Sequence, residues 1–190
     1  MLSAVTSPPL HSQHEPREPI PDGAAIGAER EGAVRVGARC GIVVAAATAG
    51  AITGFSLHAP GGPLAPFATT GRMLLGVSLN EARAEQLFAL LGGLALHTLV
   101  AVAWSVLFAL LAGSVRGLRL WMSAALFAVA AYVASEYLLP SLLRLGHGAR
   151  PFPSQLALLY AVLAVALVVG MRLANSGAVG TAGGGGSPGT

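Results

Sequence analysis

Four apolar runs, each long enough to cross a bilayer, occupy nearly half of this chain: about Cys40 to Leu57, Gln86 to Gly113, Leu118 to Leu139 and Phe152 to Ala174. A spanning helix needs about 20 mostly apolar residues. None of the four has the polar face of a helix resting on a soluble core; each is apolar nearly all round. In hydrocarbon the backbone must satisfy its own polar groups, and a helix does so within one segment. The fold expected is therefore all-α: an integral membrane protein, an antiparallel four-helix transmembrane bundle over residues 38–174. The charge content agrees. Only 10% of the 190 residues are charged, against about 25% in a soluble domain, too few to cover a water-facing surface.

Residues 1–35 carry Pro8, Pro9, Pro16, Pro19 and Pro21 among mixed charges, and residues 175–190 are rich in Gly. Neither stretch holds enough apolar surface to offset the entropy of ordering, so both are expected to be disordered tails. Residues 1–35 also lack the basic start and apolar core of a secretory signal, which leaves the first span to direct insertion.

The connections differ in kind. Residues 114–117 (SVRG) make a tight turn, so the second and third spans are expected to be antiparallel neighbours. Residues 140–151 form a medium loop, and Pro140 ends the third span. Residues 58–85 are longer, with a moderately apolar middle too broken by Pro63, Pro66 and Arg72 to cross; it reads as a short helix lying at the membrane surface. Asn80 and Glu81 look like the cap and acidic first turn of the second span.

All eleven basic residues are arginines, a usage associated with GC-rich bacterial genomes. Arg30, Arg35, Arg39, Arg116, Arg119 and Arg172 fall on the side of the two termini, and Arg72, Arg83, Arg144 and Arg150 on the other. The excess before the first span orients both termini to the cytoplasm, in the plasma (inner) membrane. Trp104 and Trp121 then lie near one interface and Tyr137 near the other. The net charge of +3 is scattered and forms no basic stripe, so nucleic acid is not an expected partner. The bilayer is.

Ala46, Gly50 and Gly54 recur at four-residue spacing in the first span, and Gly92, Gly93 and Ala95 give the second a similar smooth patch. Small residues at such spacing let membrane helices approach closely. The face reads either as packing inside the bundle or as the contact of a homo-oligomer.

Ionisable groups inside a span are costly, and His97 and Glu136 are the two clear ones. At a rise of about 1.5 Å per residue, His97 lies near the midplane, and Tyr132 and Tyr160 lie at a similar level from the ends of their own spans. Tyr132, Ser135 and Glu136 share one face, at spacings of three and four. His97, Tyr132, Glu136 and Tyr160 thus make up a candidate intramembrane polar site. For His97 the plain reading is a neutral imidazole bonded to a tyrosine or a backbone carbonyl; the functional readings are a proton or substrate relay and an axial haem ligand. Haem b between two histidines would need a second one at that depth, and His58 and His147 are in loops, so no cofactor is expected. Glu136 reads as a structural partner of Gln155, Arg144 or Arg150, or as part of a proton-coupled site. Cys40, the single cysteine, excludes an internal disulfide and reads as a small buried side chain. His58, His147, Glu81 and Glu85 match no metal motif, His11 and His14 stand in the tail, and no phosphate loop, nucleotide fingerprint, HExxH or nucleophile elbow is present, so no catalytic residue is assigned.

The second span (GGLALHTLVAVAWSVLFALLAG) sets His97 after Gly92 and Gly93 and before Trp104, and the fourth carries Tyr160 and Gly170 ahead of Arg172. Over residues 38–174 this resembles small four-span bacterial inner-membrane proteins of unknown function, with Ala103 and Ala164 where those proteins often have glycine. The resemblance implies membership, not a mechanism. Two functions remain open: a non-enzymatic accessory or stress-related membrane protein, and a small oligomeric transporter or proton-handling channel using His97 and Glu136.

Overall fold

The computed structural model describes residues 23–76, 83–138 and 152–179. Five α-helices follow in order: α1 (Gly23–Phe55), α2 (Ala65–Leu75), α3 (Arg83–Ala112), α4 (Leu118–Val133) and α5 (Pro153–Val179). A π-helical turn, Ala134–Leu138, continues α4. No strand occurs among the described residues. The Asn80–Glu81 cap, the loop with Pro140, Arg144, His147 and Arg150, and the tails beyond residues 22 and 179 lie outside the described residues.

Four helical stretches are long and apolar enough to cross a membrane: Ile26–Phe55, Arg83–Ala112, Leu118–Leu138 and Pro153–Ser176. Their outer faces explain why lipid is the solvent. Leu99, Leu111 and Leu126 are 65%, 69% and 72% exposed, and fully burying one such side chain is worth about 1.5–3 kcal/mol. A continuous surface of this kind is untenable in water and ordinary in hydrocarbon. The interior is filled by small side chains instead: Ala45, Ala101, Ala109, Ala124, Ala128, Ala131 and Ala166 are all buried.

The helices stand side by side in the order α2, α3, α1, α5, α4. The first span is the centre of the bundle, packed on α3 and on α5, both of them far from it in sequence. On α3 the register is antiparallel: a Cβ on Gly37 would lie 2.6 Å from the Val106 Cα, and one on Gly41 would lie 2.6 Å from the Val102 Cα. These two glycines let backbone meet backbone. On α5, Gly170 makes the same allowance for Cys40, whose thiol donates to the Leu167 carbonyl at 3.6 Å. Cys40 is fully buried there.

The small-residue face singled out in the sequence points elsewhere. Nothing lies within 4 Å of a Cβ built on Gly50 or Gly54, and Ala46 is exposed. The bundle uses Gly37 and Gly41, on another face of α1. Spacing alone cannot separate the two faces, because both offer small residues at intervals of four.

The helix within residues 58–85 also differs from expectation. α2 does not lie flat at a surface. It runs antiparallel along the Arg83 end of α3, where a Cβ on Gly71 would overlap the Ala89 carbonyl oxygen and one on Gly93 would overlap that of Phe67. With no side chains between them the two backbones pack directly, and Phe67 reaches the level of His97. Likewise α1 begins at Gly23, inside the stretch read as tail, and its residues 26–36 prolong the span as a largely exposed helix.

The sequence-adjacent pair α3 and α4 is joined by the tight turn, but its backbones stay apart. Phe127 of α4 fills the gap against Phe108 and Trp104, with ring centroids 5.2 and 5.8 Å away. The closer partner of α4 is α5.

Candidate functional site

His97 is midway along α3, and its imidazole turns to α1. Nε2 lies 3.0 Å from the Thr48 hydroxyl and 3.3 Å from the Ala45 carbonyl oxygen. The Thr48 hydroxyl already donates to the Val44 carbonyl at 2.8 Å, and a carbonyl can only accept. Both neighbours are therefore acceptors, so Nε2 carries the proton and the ring is the Nε2–H tautomer. The edge of the Phe67 ring closes the site at a centroid distance of 5.3 Å. His97 is 7% exposed and Thr48 1%. The arrangement binds α1, α2 and α3 together at one level. A neutral imidazole donating to two oxygens suits a position where a charge is poorly tolerated.

Tyr132 and Tyr160 stand in a different place. Their rings meet edge to face across α4 and α5 with centroids 5.3 Å apart. The π turn sets Ser135 and Glu136 beside them, close enough for both side chains to act on the Tyr160 phenol. Ser135 is 1% exposed, and its hydroxyl, near Tyr160 but outside hydrogen-bonding geometry, makes no hydrogen bond among the described residues. One carboxylate oxygen of Glu136 is buried as well. Gln155 is occupied in capping α5, its side-chain oxygen accepting from the Phe152 backbone N–H at 3.2 Å.

The structure thus divides the four polar residues into two groups, His97 on α1 and α3, and Tyr132, Glu136 and Tyr160 on α4 and α5. The residue that sequence reasoning missed is Thr48, whereas Ser135 was placed on the face of Tyr132 and Glu136 but given no role. A threonine or serine in a span usually bonds back to its own helix, as Thr98 does to the Leu94 carbonyl and Ser105 to that of Ala101, so neither residue type stands out in a sequence.

Beside the tyrosine pair a cleft of about 590 Å³ opens between α4 and α5. Alanine makes up half of its walls, Ala125 and Ala128 on one side and Ala157, Ala161 and Ala164 on the other, with Tyr132 and Tyr160 as the polar elements. Ala125, Ala157 and Ala161 are exposed, so the cleft opens on the lipid-facing surface. Among the described residues no group of three His, Cys, Asp or Glu side chains is placed to hold a metal ion. No family model matches the chain, and neither a curated protein nor a solved structure matches it.

Proposed function

We propose that this is a non-enzymatic accessory membrane protein that acts by binding, and that the α4–α5 cleft takes an apolar molecule with a hydrogen-bonding head. The observation that supports this most is the Ser135 hydroxyl, buried on a π turn without a well-formed hydrogen bond among the described residues, next to the Tyr160 phenol that lines the cleft. An unbonded buried hydroxyl is costly away from water, and single π turns inside α-helices occur often at functional sites. The cleft volume falls within the range of small-molecule sites, about 300–1,000 Å³. The remaining helices then serve as frame, with His97 fastening α1 to α3. In this reading the chain belongs with the small four-span bacterial inner-membrane proteins it resembles, and its arginine-rich end is cytoplasmic.

A photoreactive long-chain alcohol in phosphatidylcholine liposomes tests the proposal. It should label the Pro153–Ala164 stretch, and Ala161→Trp, which fills the cleft, should abolish the label. A photoreactive alkane of the same length should label that stretch much less. Equal labelling by alcohol and alkane would reduce the cleft to a groove filled by any lipid tail.

A second reading, a small oligomeric transporter or proton-handling channel, draws its support from Glu136, whose carboxylate is half-buried in the same cluster. His97 bonds to α1 and takes no part in that cluster. Proton flux into liposomes that is lost with Glu136→Gln, in a variant that folds normally, would favour this reading over simple binding.

A further inference from the structure

One end of the bundle carries positive charge that the helices leave largely uncompensated. Arg30, Arg35 and Arg39 on α1, Arg116 and Arg119 at the α3–α4 turn, and Arg172 near the end of α5 all stand there. Against them are Glu29 and Glu31, and Glu31 is paired with Arg35 at 2.6 Å on the exposed face of α1. At the opposite end, the described residues hold Arg72 and Arg83 against Glu85 and Glu136.

The register of α1 on α3, Gly37 against Val106 and Gly41 against Val102, brings Arg30 to the level of Gly113, one residue past the end of α3. Here the α1 extension and the ends of α3 and α5 enclose a groove of about 490 Å³. Ile26, Ala33, Leu110 and Met171 give it an apolar lining, and Arg30 and Glu29 belong to its polar part. The neighbouring Leu111 and Leu118 are 69% and 74% exposed. Two features mark this level as the boundary between hydrocarbon and headgroups. Long apolar side chains and arginines are exposed together, and the Arg172 guanidinium sits over the Trp121 ring, 5.9 Å from its centroid. Tryptophan is enriched at that boundary.

We infer that the groove seats an anionic phospholipid of the surrounding leaflet, one acyl chain along the apolar lining and the headgroup at Arg30. The charge excess selects the headgroup: among the described residues, six arginines against two glutamates draw a phosphate that carries net charge and are indifferent to one balanced by choline. The groove supplies what surface charge alone does not, a fixed place for the chain.

The test is lipid retention by the full-length protein, measured by native mass spectrometry after purification with equal phosphatidylglycerol and phosphatidylcholine. Wild type should retain phosphatidylglycerol preferentially. Arg30→Gln, at an exposed position that folding does not need, should lower that retention about fivefold, the effect of one arginine near an anionic surface. Arg83→Gln, at the other end, should leave it unchanged. Ala33→Trp fills the groove while keeping every arginine, and should lower retention too. Equal retention of the two lipids by wild type, an equal loss with Arg83→Gln, or undiminished retention with Ala33→Trp would each overturn the inference.

Discussion

The Thr48 hydroxyl stands 3.0 Å from His97 Nε2 and is itself bonded back to the Val44 carbonyl, so the side chain that receives the imidazole proton is held in place by its own helix. Such an acceptor needs no reorganisation to hold the ring. The pairing also gives the single histidine of the spans a structural task, the joining of two helices that are distant in sequence.

That task has a measurable size. In a double-mutant cycle of Thr48→Val and His97→Phe, unfolding in detergent should yield a coupling of about 0.6 kcal/mol and no more than about 1.7, the range of hydrogen bonds between membrane helices. His97→Phe should fold, because the ring still meets Phe67. His97→Arg should lose most of the folded protein, since a charge at that depth costs about 3 kcal/mol or more. A coupling near zero would mean that the Ala45 carbonyl alone holds the ring.

The two glycine faces should respond oppositely to bulk. Gly93→Leu drives a side chain into the Phe67 backbone and should detach α2, seen as a lower melting temperature and as protease cleavage near residues 65–75. Gly50→Leu meets open space and should leave the melting temperature unchanged. If Gly50→Leu alters the oligomeric state in detergent, the outward face is the contact between copies of the chain.

Orientation can be read by thiol labelling, because the native Cys40 is fully buried and should not react. Ala59→Cys in the α1–α2 loop should react with an impermeant maleimide added outside cells. Ser114→Cys should react only after the cells are opened. The reverse pattern would place the arginine-rich end outside and overturn the assigned orientation.

Ser135→Ala should separate stability from binding. Removing a buried hydroxyl that has no well-formed hydrogen bond among the described residues should leave stability unchanged or raise it by about 1 kcal/mol, while labelling by the long-chain alcohol falls. Lower stability together with unchanged labelling would show that the hydroxyl serves the fold and not a ligand.

The spans were legible in the sequence because the length of an apolar run is a direct consequence of bilayer thickness. Counting residues from the span ends also put Tyr132 and Tyr160 at one level, where their rings touch. The placement of α2 was hidden, because Pro63, Pro66 and Arg72 break its apolar run and its attachment depends on two missing side chains, those of Gly71 and Gly93. The bundle-packing reading of Ala46, Gly50 and Gly54 failed for a related reason: they are more conspicuous than Gly37 and Gly41, and a one-dimensional pattern has no inside or outside. Nor could depth alone show that α1 would claim His97 and leave the tyrosines to α5.

The side-by-side order of the helices bears on how the protein is made. A chain leaves the ribosome from its N-terminus, so α1 enters the bilayer before either of its main partners exists. It must wait for α3, and then for α5, with lipid against Gly37, Gly41 and Thr48 in the meantime. α4 has only the aromatic contact of Phe127 with α3 until the last helix arrives. Assembly is therefore completed from the C-terminal end, and a chain truncated before Pro153 would leave α1 without one of its two partners and α4 without its main one, a half-built bundle that membrane quality control could recognise by its bare alanine and glycine faces.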